Sequence, residues 1–262
     1  MSSGSVRKIP VVRRRAADES HVIDSVAVEE PLEIRVDASS LAVTMRTPGD
    51  DPDLVLGFLL TEGVLLSPHE INSIQLVDDS RINVRLENGV QVDTARFQRN
   101  MFISSSCGVC GKASIEAVQL VAPASKEFKV SHRILRRLTQ DLRHHQPTFD
   151  TTGGLHAAAL FELTGDPIVV REDVGRHNAV DKAIGAAAML KWPLPPCLLV
   201  VSGRQSFEIV QKAAIVGIGG VIGISAPSSL AVELANSLGL LLVGFARGDT
   251  LNIYAGGHHV TE

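Results

Sequence analysis

Three cysteines, and one tryptophan, one tyrosine and eight phenylalanines, are all that 262 residues hold of the types that build disulfide frameworks and stacking platforms. An odd, unframed cysteine set indicates a reducing compartment, hence the cytoplasm. So few aromatics argue against stacking along single-stranded nucleic acid. Positive charge is not in excess either: 25 Lys and Arg face 29 Asp and Glu, a net charge of −4, which argues against a general nucleic-acid binder. No apolar run is long and unbroken enough to span a bilayer, so no membrane partner is expected. The basic cluster Arg7, Lys8, Arg13, Arg14 and Arg15 reads as a solvated, disordered tail over residues 1–21. Ala16-Ala17-Asp18-Glu19-Ser20 follows it, where a twin-arginine export signal would need apolar residues.

What is present divides into two parts. Residues 22–125 read as a small α+β part. Residues 32–36 and 41–45 alternate as strands around a turn at 37–40, and an apolar helix covers 53–61. Strands follow at 71–77, 82–86 and 90–95, the last two joined by a turn at Glu87-Asn88-Gly89. Helices are expected at 113–120 and, capped by Ser131, to about 144. Residues 126–262 read as an α/β part whose strands (155–163, 168–171, 197–202, 220–225, 240–245, 251–254) alternate with helices (178–190, 206–216, 228–238). That alternation predicts a largely parallel, helix-covered sheet.

Two features carry chemistry. The first is Ser104-Ser105-Ser106-Cys107-Gly108-Val109-Cys110-Gly111-Lys112, which contains the chain's only Cys-x-x-Cys pair. A thiol where a Gly-rich loop enters a helix is acidified by free N–H groups and the macrodipole. The pair leaves a zinc site, a redox couple, a sulfur relay and simple packing open. Zinc lacks a second recognisable ligand pair, and the zinc-deaminase pattern is incomplete around His156; no metal is expected. For the relay, one thiolate carries a terminal sulfur and the second attacks the persulfide to release it. Cys197, inside a Leu/Val run, is a core residue.

The second feature is a set of polar turns at junctions of strand and helix: 151–156, 172–178, 202–206 and 245–250. Each of the last three sets a Gly beside an Arg (Arg176, Arg204, Arg247). Glycine admits close backbone approach and arginine grips phosphate with two donors, so three such turns on one sheet edge would suit a polyphosphate-bearing ligand. His156 and His177 are candidates for acid–base groups or for hydrogen bonds that hold turns.

Ser106–Gly111, Thr152–His156, Glu172–Lys182, Ser202–Arg204, Ser225–Val232 and Gly244–Gly248 together resemble the formate dehydrogenase accessory proteins of the FdhD type. The likeness covers nearly the whole chain after residue 22, and the eleven residues from Glu172 are its most specific part. It implies a cytidine-deaminase-like α/β fold and a sulfurtransferase serving the molybdenum cofactor in its bis-guanine-dinucleotide form. Implied partners are a cysteine desulfurase as donor, formate dehydrogenase as client and a second copy of the chain in a homodimer. Cys107 would carry the persulfide with Cys110 assisting. The cofactor would lie against Phe245, Ala246, Arg247, Gly248, Asp249 and Thr250, with Arg176 and Arg204 gripping it. The rival readings are a cofactor-binding chaperone without sulfur relay and a Cys-x-x-Cys redox protein.

Overall fold

The computed structural model describes residues 4–16, 18–92, 111–123 and 127–262. Its centre is a six-stranded sheet ordered β13-β12-β11-β10-β8-β9. The strands are β8 (His156–Glu162), β9 (Pro167–Asp173), β10 (Cys197–Val201), β11 (Gly220–Gly223), β12 (Leu241–Arg247) and β13 (Thr250–Ala255). The largely parallel sheet expected from the alternation is not what forms. Only β10–β11 and β11–β12 pair in parallel, whereas β8–β9, β8–β10 and β12–β13 are antiparallel. The cause is connection length. Tight turns at 163–166 and 248–249 reverse the chain at once, and the crossover after β9 lands beside β8, running against it.

Every strand of the sheet's middle buries both faces, with the period of two that a pleated ribbon imposes. Ala157, Ala159, Phe161, Leu198, Val200, Leu241 and Val243 face helix α3 (His132–Arg143), which contributes Leu135, Leu138 and Leu142. Ser131 caps α3 by accepting the N–H of Ile134 at 3.3 Å. Burying each of those leucines is worth about 1.5–3 kcal/mol. Ala158, Leu160, Leu199, Val201 and Leu242 face the opposite core, under α5 (Arg176–Leu190), α6 (Phe207–Ile215) and α7 (Ser229–Leu238).

That second core is shared with the N-terminal part. A four-stranded sheet, ordered β4-β3-β6-β5, is built from β3 (Glu30–Val36), β4 (Ser39–Arg46), β5 (Ile71–Asp78) and β6 (Arg81–Leu86). Leu32, Ile34, Ile82 and Val84 from it join the same buried cluster as Leu199 and Val201. Helix α1 (Asp51–Thr61) crosses α5 with no space between backbones. A Cβ at Gly57 would sit 1.8 Å from the carbonyl oxygen of Asp181, and one at Gly185 would sit 1.9 Å from that of Asp53. Where the helices cross, Lys212 donates to Thr61 (3.0 Å), Glu62 (2.7 Å) and Asp181 (2.9 Å), which closes the end of the crossing with a buried ion pair.

Two further expectations are altered. The disordered basic tail is instead a hairpin, β1 (Val6–Arg15) paired with β2 (Asp18–Ala27) over ten residue pairs. The hairpin packs against a short helix, α4 (Pro147–Thr152), and the packed face is what a lone two-stranded segment lacks. The strand expected at 90–95 is absent over 90–92, and 93–95 lie outside the described residues. A further pair, β7 (Val130–Ser131) with β14 (Val260–Thr261), ties the C-terminus beside α3. Helix α2 (Gly111–Val121) stands where the helix after the cysteines was expected.

Candidate functional site

The polar turns gather along one edge of the six-stranded sheet because strand direction sends them there. His156 begins β8 opposite Asp173, which ends β9, while β10, β11 and β12 run in parallel and finish on the same side. From one end of the edge to the other stand the turn at 174–176, His156 with Gly153 and Gly154 before it, the turn at 202–206, Ser225 to Ser228, and the turn at 245–250. Strands spaced about 4.8 Å apart put β10 roughly 10 Å from β12.

The run from Glu172 sorts into scaffolding residues and two that are left over. Glu172 accepts the N–H groups of Thr148 (3.0 Å) and Phe149 (2.8 Å), so its carboxylate caps the start of α4. Asp173 is fully buried and accepts from Lys182 Nζ at 2.8 Å, Thr47 N–H at 3.1 Å, Gly175 N–H at 2.8 Å and Asn178 Nδ2 at 3.1 Å. Asn178 also donates to Met45 O at 2.7 Å, and Asp181 belongs to the Lys212 ion pair. Arg176 and His177 are the polar side chains that this scaffold does not consume. Arg176 Nε is buried and has no hydrogen-bond partner among the described residues. His177 Nε2 lies 3.4 Å from Ser206 Oγ.

Three arginines stand along the edge, and both of its imidazoles are held below the usual histidine range. Burial, then the Arg176 cation, moves His177 down to about 4. Burial, followed by Arg176, also lowers His156, with Arg204 acting the same way. Arg176 and Arg204 therefore both bear on His156, which places the two predicted arginines in one neighbourhood. A Cβ at Gly203 would meet His156 Nδ1 at 3.2 Å and Arg176 Cβ at 3.6 Å, so the glycine allows the 202–206 turn to close over them.

Gln205 fixes that turn. Its side chain runs across Gly223, where a Cβ would fall 1.8 Å from Nε2, and donates to Val243 O at 3.0 Å. Its backbone bonds to Ala226 O and Ser228 N–H at 3.1 and 3.0 Å, so one residue links the ends of β10, β11 and β12. Its Oε1 is buried without a partner among the described residues.

The 245–250 turn is held from beneath. Phe245 has φ 51° and remains 39% exposed, a conformation that an aromatic side chain seldom adopts and that strains the backbone at this edge. Its N–H donates to Ser225 O at 3.1 Å, and Arg247 Nε donates to Ile224 O at 2.9 Å. Ala246 points into the core, and its carbonyl accepts Thr139 Oγ1 at 2.9 Å. Asp249 is ion-paired with Arg136 of α3, and Gly248 has φ 54°. Thr250 Oγ1 donates to Arg247 O at 3.1 Å. Of the six predicted residues here, Phe245 and Arg247 offer a ring and a guanidinium, whereas Ala246 and Asp249 are engaged by α3.

Cys107 and Cys110 lie outside the described residues. Cys197 is buried in β10, as its apolar run predicted. Sequence reasoning missed Gln205, because nothing local marks a glutamine that reaches two strands away. It also missed the Asp173–Lys182 pair, although their spacing across a helix start was a usable signal. A hollow of about 440 Å³ lies elsewhere, against Asp37, Asn72, Asn83, Arg85 and Glu87 on the small sheet. It is open and lacks the convergent arginines and glycines, so the sheet edge is the better candidate.

Gly-Arg turns after β9, β10 and β12 share one sheet edge, the kind of place where α/β sheets commonly hold ligands. Comparison with known proteins goes further. The model of the FdhD/NarQ family matches residues 27–261, and the chain belongs to that family. It is 47% identical over 264 residues to the "Sulfur carrier protein FdhD" of Streptomyces coelicolor, covering 95% of this chain and 94% of that one. To the protein of the same description from Sulfolobus acidocaldarius it is 45% identical over 250 residues, covering 95% and 96%. Among solved structures, a putative formate dehydrogenase accessory protein from Desulfotalea psychrophila superposes with a TM-score of 0.80 at 23% identity. That match covers 98% of this chain and 99% of that one, and it supports the mixed α/β fold. Among the described residues no helix is long and apolar enough to cross a membrane.

Proposed function

We propose that this chain is a cytoplasmic sulfurtransferase that passes sulfur from a cysteine desulfurase to the bis-guanine-dinucleotide molybdenum cofactor required by formate dehydrogenase. The observation that carries the reading is the gathering of Arg176, Arg204 and Arg247, each beside a glycine, on one sheet edge of an FdhD/NarQ chain. A dinucleotide carries the phosphates that such guanidinium groups recognise. The buried, unpartnered Nε of Arg176 needs an acceptor, which a phosphate oxygen would supply. Phe245 offers an exposed ring to a planar base. Kinship of the fold with cytidine deaminases is part of the same reading.

In the transfer, Cys107 thiolate attacks the terminal sulfur of the desulfurase persulfide, and the desulfurase thiolate leaves. Cys110 thiolate then attacks the inner sulfur of the Cys107 persulfide, forms the Cys107–Cys110 disulfide and releases hydrosulfide to the acceptor. An external thiol reductant returns the disulfide to two thiols. Because burial and Arg176 disfavour the charged forms of His156 and His177, the arginines are the groups that would meet a phosphate.

The test is genetic and enzymatic. Cells holding only Cys107→Ala should contain folded carrier and inactive formate dehydrogenase. Fully active enzyme from those cells would exclude the relay and leave a cofactor chaperone. Loss of activity, together with retained guanine-nucleotide binding by the purified variant, supports the relay.

A further inference from the structure

Beyond their last ladder pairs, the parallel strands of the central sheet no longer hold one another. The β10–β11 ladder stops at Val201 and Gly223, and the β11–β12 ladder at Ile222 and Val243. The turns that follow carry Arg204, Ser225 to Ser228, Phe245 and Arg247. The spacing of these groups therefore depends on what ties one turn to the next.

The ties run in series from Gln205. Its N–H donates to Ala226 O at 3.1 Å and its carbonyl accepts Ser228 N–H at 3.0 Å, so the 202–206 turn and the 225–228 turn meet in a short parallel bridge. The second turn holds the third: Ser225 O accepts Phe245 N–H at 3.1 Å, and Ile224 O accepts Arg247 Nε at 2.9 Å. The Gln205 side chain bypasses the middle turn. It crosses Gly223 and donates to Val243 O at 3.0 Å, two residues before Phe245. Gly244 lets the middle turn lie against β12, since a Cβ there would stand 2.9 Å from Pro227 Cδ and 3.1 Å from Ser225 O. A left-handed Phe245, φ 51°, persists only where its surroundings over-determine it, and these ties are such surroundings.

Packing alone does not call for a glutamine at this place. Gln205 is fully buried, and its Oε1 has no partner among the described residues. A methionine of similar volume would avoid that unmade bond. It could not donate to Val243 O.

We infer that Gln205 is a positioning residue, which touches no ligand and sets where Phe245 and Arg247 stand relative to Arg204. With the tie in place, both guanidinium groups and the exposed ring meet one ligand together, and their ordering is completed before the ligand arrives. The identity of that ligand rests on the function proposed above, whereas the tie between the turns does not.

Three variants of the full chain test it. Gln205→Met removes the donor and keeps the volume. Gly223→Ala leaves Gln205 unchanged but puts a methyl group where its side chain lies. Gln205→Ala with Gly223→Ala relieves that overlap and still lacks the donor. Amide exchange of the ligand-free proteins reads the tie itself: Ser228 and Phe245 N–H should exchange roughly tenfold faster in all three, with Leu199 and Val200 N–H in β10 unchanged. Binding of GDP, followed by calorimetry, should weaken roughly tenfold in all three, but about threefold or less when Gln205→Met is placed on Arg247→Ala, because Arg247 is then no longer there to be held. Urea titration separates positioning from packing: the paired variant should regain the stability that Gly223→Ala loses without regaining affinity. If Gly223→Ala does not fold, Gln205→Met decides both of the other readouts. A wild type that binds no GDP would sink the guanine-nucleotide reading, and faster exchange in the variants would still support the tie. Unchanged exchange at Phe245 in folded Gln205→Met, affinity that returns with stability, or an equal loss with and without Arg247 would overturn the inference.

Discussion

Replacing Asp173 with alanine should cost more stability than any surface substitution in this molecule. The carboxylate has no exposure, and it answers one ammonium, two backbone N–H groups and one amide at 2.8–3.1 Å. Its removal leaves Lys182, 1% exposed, with Thr47 O at 2.8 Å as its nearest remaining acceptor and no counter-charge. Breaking a buried pair in this way costs about 3–5 kcal/mol, against about 5–15 kcal/mol for a whole domain. The urea midpoint should therefore fall by roughly a fifth or more of its value, with an unchanged slope. Replacing both partners by Asp173→Asn with Lys182→Met removes the stranded charge and should recover most of the loss. Urea titration by circular dichroism on the wild type and the two variants decides the matter. A loss below about 1 kcal/mol for Asp173→Ala would refute the reasoning, since it would mean that water already reaches the pair.

Other outcomes follow from the same geometry. Gly185→Ala drives a methyl group into the backbone of Asp53 and should destabilise by about 1–3 kcal/mol or more, read as a lowered thermal midpoint; an unchanged midpoint would contradict the close crossing of α1 and α5. His177 titrates near 6.5 when unfolded but is held at about 4 in the fold, so the unfolded chain binds more protons between those values. Stability should thus fall as pH drops from about 6.5 towards 4, and His177→Asn should flatten that slope; an identical slope in the variant would count against the burial of the ring. Arg176→Ala, Arg204→Ala and Arg247→Ala each remove a charged donor worth about 1.5–3 kcal/mol, so each should weaken binding of a guanine dinucleotide or GDP roughly ten- to a hundredfold by calorimetry. Unaltered affinity in all three would move the ligand elsewhere.

Much of this was legible in the chain, and the failures have physical causes. The strand and helix alternation after residue 155 was readable because β8 and β10 bury both faces and so appear as unbroken apolar runs. The turns could be placed on one edge because Gly-Arg pairs fall only where strands end. Parallel pairing was misjudged because alternation of elements does not reveal that a four-residue turn, Leu163 to Asp166, reverses the chain. The hairpin was hidden because Lys8 and Arg13 to Arg15 break the apolar alternation of β1, whose partners arrive only in β2 and α4. The link from Asp173 to Thr47 spans 126 residues, and no local pattern encodes it. The cysteine pair was the reverse case: its motif stands out in the sequence, but by itself it leaves zinc, redox, relay and packing open, and Cys107 and Cys110 lie outside the described residues.

The central claim is that one thiol of this chain carries sulfur. Incubating the purified protein with a cysteine desulfurase and free cysteine, then mapping its peptides by mass spectrometry, tests that directly. The account predicts one added sulfur atom on Cys107, lost on treatment with a thiol reductant. A Cys107 that gains no sulfur, while the desulfurase itself is shown to be loaded, would contradict it.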